Sequence, residues 1–240
     1  MAAKIETRAI ILRTVAYGES DRVVTLLGAA TGRASALARG ARKSVKRFAG
    51  GLGMGHEGRA VLRERPGAEL LGLEEFEVER AHEGLAGDVG KTAHAAYALE
   101  LCDRLCPPRH PEDAVWAWLS TFLGHLADGR PSAERLRVFE TGLLVRLGLG
   151  PALDRCAVCS RRDLGQDNVR WHPDRGGVVC LSCVARGDLM SGATRAAAAH
   201  QRHLAALERI AVALNAEHLR WVVVGGPGLA QRPEVVAEAP

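Results

Sequence analysis

The sequence predicts an α+β protein: a small N-terminal barrel of five strands, followed by an all-α domain that carries a four-cysteine insert. Three observations predict it. Five short β-branched or alternating apolar runs fall before Arg80, punctuated by glycine and proline. After Gly84 the apolar spacing lengthens to the helical period. Later, Cys156-Ala157-Val158-Cys159 and Cys180-Leu181-Ser182-Cys183 form two C-x-x-C hooks twenty residues apart.

The first strand is expected over Ile5 to Val15, where Arg8, Ile10 and Leu12 alternate with Thr7, Ala9 and Ile11. The second covers Arg22 to Leu27, after the turn signal Gly18-Glu19-Ser20-Asp21, so the two read as a hairpin. Arg33 to Arg39, Gly58 to Glu64 and Ala68 to Val78 supply three more strands, with Gly32, Gly40 and Pro66-Gly67 as breaks. Five such strands suit an OB-fold, a barrel that commonly binds oligonucleotides, and equally an SH3-like barrel.

Within this barrel, Arg33, Arg39, Arg42, Lys43, Lys46 and Arg47 place six basic residues in fifteen without one acid. Such a run either replaces counterions along a phosphate backbone or is a solvated loop with no partner. Phe48, Tyr17 and Phe76 are the only aromatic residues of the first eighty. With so few stacking platforms, binding should lean on phosphates more than on bases. Gly53-Met54-Gly55-His56-Glu57-Gly58 matches G-x-G-x-x-G, but it precedes a strand-like run, whereas a dinucleotide fingerprint must open a helix.

Three helices should follow. Val89 to Cys106 sets Ala93, Tyr97, Leu101 and Leu105 on one face and stops at Pro107-Pro108. Cys102 and Cys106, one turn apart, read as core-lining residues. Pro111-Glu112-Asp113 opens a second helix, with Val115, Trp118, Leu119, Phe122 and Leu126 inward and Trp116 and Trp118 in the core; it ends near Gly129. Ser132 caps a third, with Leu136, Phe139, Leu143 and Leu147 inward and Gly148 at its end. The three should pack as one bundle. Arg195 to Leu214 reads as a fourth helix, Trp221 to Gly228 as a short strand or apolar plug, and the tail from Gln231 as frayed.

The two hooks offer Cys156, Cys159, Cys180 and Cys183 as four soft ligands that close a tetrahedron around one zinc ion. All positions would be filled by protein, so the site is structural and leaves no opening for zinc catalysis. Iron is the other metal that four thiolates suit. Arg155, Arg161, Arg162, Arg170, Arg175 and Arg186 lie in or beside the loop and would offset its net negative charge. Trp171 and Val178-Val179 would form a small core that the metal makes viable, with His172 a bystander.

Composition narrows the classes further. The 240 residues are 47% hydrophobic and 25% charged with a formal net charge of +4, which is mildly basic and does not by itself establish a polyanionic partner. The longest charge-free run, Ala114 to Ala127, is too short for a bilayer. Ala9-Ile10-Ile11-Leu12 is too short for a signal core, so the expected compartment is the reducing cytosol, which favours metal over disulfides.

Taken together, Ala9-Ile10-Ile11-Leu12-Arg13, Tyr17-Gly18-Glu19-Ser20-Asp21, Ala38-Arg39-Gly40-Ala41-Arg42-Lys43, and Phe139-Glu140 with Leu143-Leu144 and Leu147-Gly148 ahead of the first hook resemble the bacterial recombination mediators of the RecO family. The resemblance implies an OB-fold over 1–80, a helical domain over 81–150 resumed at 190–240, and a zinc-finger insert over 151–189. It implies no catalytic turnover. It further implies a cytoplasmic, nucleoid-associated protein that binds single- and double-stranded DNA, anneals strands coated by single-strand-binding protein, and acts with RecR to help load RecA. The family's basic OB loop falls on Arg39, Arg42, Lys43, Lys46 and Arg47. Where the family often ends in helices with a basic close, this chain ends in Trp221 to Gly228 and a tail with Pro233 and Pro240. A protein-binding adaptor with a solvated basic loop is the contrasting class, and it would hold naked DNA poorly.

Overall fold

The computed structural model describes residues 3–44, 46–64, 67–164, 167–192 and 195. The chain divides into two compact units, Met1–Leu147 and Gly148–Pro240. The fourth helix expected beyond Arg195, the Trp221 segment and the tail lie outside the described residues.

Strands β1 (Lys4–Tyr17), β2 (Asp21–Gly28), β3 (Gly32–Ala38), β4 (Glu57–Arg63) and β5 (Leu71–Arg80) pair in the order β1-β2-β3-β5-β4, and β4 returns to β1. All pairings are antiparallel except β3 with β5, where Ala36 faces Leu71 and Leu37 faces Gly72. This is the OB-type barrel, and the SH3-like alternative is set aside. β1 is long enough to pair along both edges, and its register with β2 shifts between Ile11 and Arg13, which bends it round the barrel. Ala9, Ile11, Val24, Leu26, Ala36, Leu62, Leu73 and Phe76 are among the side chains that fill the interior. Gly58 is required where β4 crosses β5, because a Cβ there would lie 1.9 Å from the Glu77 carbonyl oxygen. The G-x-G-x-x-G run therefore feeds a strand, and its last glycine serves close backbone approach.

Helices α1 (Val89–Leu105), α2 (Asp113–Asp128) and α3 (Ala133–Arg146) pack on one another and on the barrel. Asp88 caps α1 and Ser132 caps α3, each side chain accepting an N–H three residues on. Trp116 and Trp118 are core residues, as expected, and the Trp118 indole N–H donates to the Phe139 carbonyl at 3.1 Å. Gly142 on α3 makes room for that indole. Cys102 and Cys106 are buried and not disulfide-bonded. The expected inward face of α1 is corrected. Ala95, Ala98, Leu99 and Cys102 are buried, while Ala93 and Tyr97 are exposed. Small apolar residues on both sides of this alanine-rich helix leave its periodicity weak, and packing against the barrel chooses the face.

A buried polar cluster fastens the helices to the barrel. Glu57 of β4, only 3% exposed, meets Arg80 of β5 at 2.5 Å, accepts the Ser120 hydroxyl of α2 at 2.8 Å, and lies 3.4 Å from His82 Nε2. Burial opposes ionisation of this carboxyl, but His82, Ser120 and Arg80 outweigh it and hold Glu57 below the ordinary carboxylate range.

In the second unit, β6 (Val169–His172) runs between β7 (Gly177–Cys180) and β8 (Asp188–Met190), both antiparallel to it. Leu153, Leu164, Trp171, Val178, Val179 and Met190 form its small core, including the three residues expected there. Among the described residues no helix is long and apolar enough to cross a membrane.

Candidate metal centre and nucleic-acid interface

The two C-x-x-C hooks converge as their spacing requires. The Cys156, Cys159, Cys180 and Cys183 sulfurs all lie within 4.8 Å of one another, with Cys159 Sγ 3.9 Å from Cys180 Sγ. A tetrahedral site with Zn–S bonds of about 2.3 Å needs sulfurs about 3.8 Å apart, so a small contraction closes it. Cys156 Sγ accepts the backbone N–H groups of Val158 at 3.4 Å, Cys159 at 3.5 Å and Cys180 at 3.4 Å. Burial raises its thiol, but these donors prevail and bring Cys156 down to about 6. Cys183 is pushed up to about 12 by its bonds to Cys180 and Cys159, since a cluster of sulfurs without a cation keeps a shared proton. A divalent ion removes that conflict, and the donor set fits one metal ion bound entirely by sulfur. His172 is outside the cluster, near Asp174 at 4.0 Å. Arg170 donates to the Gly187 carbonyl at 2.7 Å, bracing the sheet beside the site.

The basic run forms the loop that leaves β3. Gly40, at φ +63°, turns the chain, and its carbonyl accepts the N–H groups of both Lys43 and Ser44 at 3.0 Å. The loop is fixed to the β1–β2 turn: Gly40 N–H donates to Asp21 Oδ1 at 2.8 Å and Arg42 N–H to the Ser20 carbonyl at 3.0 Å. The Gly40 N–H and the Ser20 hydroxyl hold the Asp21 carboxyl below its ordinary range. Arg47 folds back, Nη2 donating to the Arg39 carbonyl at 2.7 Å and Nε to Ser44 Oγ at 3.1 Å. Arg39, Arg42, Lys43, Lys46 and Arg47 are all exposed.

Arg33 stands apart from this group. Its Nε donates to the Cys106 carbonyl at 3.0 Å and its Nη1 meets Asp103 at 3.4 Å, so the side chain joins β3 to α1. Phe48 and Phe76 lie inside the barrel, at 4% and 1% exposure, whereas Tyr17 is 59% exposed. Asp21 as the anchor of the loop was not singled out in the sequence, although its place at the end of a turn signal was the available clue. In the sequence Glu57 stands out only as a position within the G-x-G-x-x-G run, and its partners Arg80 and Ser120 are too far along the chain for spacing to reveal them.

These features define a class: an OB-fold barrel with a cationic loop, joined to a helical bundle and accompanied by a four-cysteine finger. The comparisons narrow it. Residues 1–82 match the family model for Recombination protein O N terminal, and residues 86–222 that for Recombination protein O C terminal. The chain is 43% identical over 183 residues to a DNA repair protein RecO of Anaeromyxobacter sp. (strain Fw109-5), covering 76% of this chain and 72% of that protein. It is 35% identical over 187 residues to the RecO of Pelobacter propionicus, covering 78% and 75%. The RecO of Myxococcus xanthus is 34% identical over 178 residues, covering 74% and 72%. The chain belongs to the RecO family.

Proposed function

We propose that this chain is a recombinational DNA repair mediator. It binds single- and double-stranded DNA, anneals complementary strands and, with RecR, helps load RecA onto gapped DNA coated by single-strand-binding protein. The carrying observation is the exposed, acid-free cationic loop on an OB barrel in a chain of the RecO family. Arg39, Arg42, Lys43, Lys46 and Arg47 screen the repulsion between two phosphate backbones, and weak contact with bases leaves their edges free to pair. Arg33, in this reading, acts at the margin of that surface.

One zinc ion on Cys156, Cys159, Cys180 and Cys183 supplies folding energy to the finger and no chemistry, because no ligand position stays open. The protein acts without turnover, in the cytoplasm, at the nucleoid.

The test is annealing of complementary strands precoated with single-strand-binding protein, without nucleotide and with RecR added in one arm. Annealing by the zinc-loaded protein supports the mediator reading. Folded protein that binds RecR but neither anneals nor holds naked DNA would make it an adaptor.

A further inference from the structure

Ser44 stands in the middle of the cationic loop. Alone among the chain's serines it has two basic residues on each side within three positions, Arg42 and Lys43 before it and Lys46 and Arg47 after it. All four of these cations are exposed. The fold brings one of them onto the hydroxyl. Arg47 Nε donates to Ser44 Oγ at 3.1 Å, while Arg47 Nη2 is held on the Arg39 carbonyl at 2.7 Å and the guanidinium lies 5.2 Å from the Phe48 ring centroid. Ser44 N–H donates to the Gly40 carbonyl, so the hydroxyl is carried on the turn whose root Asp21 anchors. The other serine of the basic run, Ser35, lies within β3 with its hydroxyl 3.4 Å from that of Thr25.

We propose that Ser44 is a phosphorylation site, and that a phosphate on its hydroxyl releases the loop's grip on DNA. The proposal rests on the DNA-binding reading of the basic loop and adds its regulation. The reaction is phosphoryl transfer from a nucleoside triphosphate, carried out by a serine kinase that selects basic residues around its target. The Ser44 hydroxyl oxygen forms a bond to the γ-phosphorus as the bond from that phosphorus to the β,γ-bridging oxygen breaks. Nucleoside diphosphate leaves, and the hydroxyl proton passes to a base of the kinase.

The consequence follows from charge and reach. A phosphoserine carries a charge of about −1.5 to −2 at neutral pH and three strong acceptor oxygens, and opposite an arginine cluster it forms charge-assisted hydrogen bonds. On Ser44 it is tethered beside the Arg47 guanidinium, and no carboxylate between Arg39 and Arg47 competes for the cations. Arg39, Arg42, Lys43, Lys46 and Arg47 are five positive charges, of which the phosphate offsets about two. A phosphate within the loop thereby takes the place of phosphates on a bound strand.

The experiment begins with the full-length, metal-loaded protein, magnesium ATP and the catalytic domain of a basic-directed serine kinase, with the product mapped by mass spectrometry. Phosphate on Ser44 and none on Ser35 is expected; a chain left unmodified within residues 39–47 overturns the proposal. Phosphorylated and unmodified protein, checked for equal melting temperatures, are then titrated into single-stranded and duplex DNA at several salt concentrations. The phosphorylated chain should bind both on the order of tenfold more weakly, with a slope of log K against log salt smaller in magnitude by about 1 to 2. Phosphatase treatment should restore both quantities, and kinase treatment should leave the affinity of Ser44→Ala where it was. Unchanged affinity and slope after phosphorylation of Ser44 overturn the switch and leave the loop reading intact. A loss with the slope unchanged, or an equal loss in kinase-treated Ser44→Ala, also overturns it. If the unmodified wild type holds no DNA, both readings fail.

Discussion

The backbone N–H of Gly40 donates to Asp21 Oδ1 at 2.8 Å, so the turn between β1 and β2 holds the root of the cationic loop. Asp21→Ala should free the loop while leaving the barrel folded, and Asp21→Asn, which keeps an acceptor oxygen, should not. Amide hydrogen exchange checks this. Gly40 should exchange faster in the alanine variant, and equal protection in both variants would place the anchor elsewhere.

The Glu57 carboxyl ties β4 to Arg80 and to Ser120 on α2. Its value in the folded chain lies below the ordinary 4.5. The linked stability is therefore fully present above about pH 4.5 and is lost as pH falls through the folded value. Ser120→Ala removes one donor from a buried carboxylate and should cost about 1–3 kcal/mol at neutral pH. Urea unfolding across the acid range checks both statements. Glu57→Gln should flatten the acid limb, and an unaltered limb would remove Glu57 from the account.

At Gly58 an added Cβ would meet the Glu77 carbonyl oxygen at 1.9 Å, and both partners are backbone. Gly58→Ala must push β4 and β5 apart, at about 1–3 kcal/mol or more. A calorimetric melt checks it, with Gly87→Ala as the control, because nothing lies within 4 Å of a Cβ there.

If the finger is held by one metal ion, as proposed, it should depend on that ion for its fold. With Cys180→Ala the site is left with three of its four sulfurs and forfeits a stabilisation on the order of 10 kcal/mol, far more than its small core supplies. Metal analysis should show loss of the ion and limited proteolysis should cut within residues 150–190, while the barrel and bundle stay intact. A variant that keeps one ion and resists the protease would contradict the structural role. Because binding requires every thiol to lose its proton, and Cys183 without metal is pushed up to about 12, affinity for the ion should rise with pH through the neutral range.

The barrel was legible because its strands alternate against turn residues, and each expected strand falls within a few residues of the observed one. The four-cysteine cluster was legible because two hooks specify its members locally. What the sequence left hidden depends on packing between distant segments. Tyr97 was expected inside and is exposed, since only the docking of α1 on the barrel decides between its two apolar sides. Arg33 sits in the basic run by sequence but bonds to Asp103 and Cys106, some seventy positions away. Phe48 closes the run and turns into the core, which leaves Tyr17 as the barrel's exposed ring.

The central claim is that the loop after β3 grips phosphates. The most direct measurement is DNA affinity against salt for wild type and for Arg39→Ala with Arg42→Ala. The account predicts weaker binding to every sequence and a slope of log K against log salt that falls in magnitude by about 0.7 to 0.9 for each phosphate that is no longer neutralised. A folded double variant with the wild-type slope would contradict it.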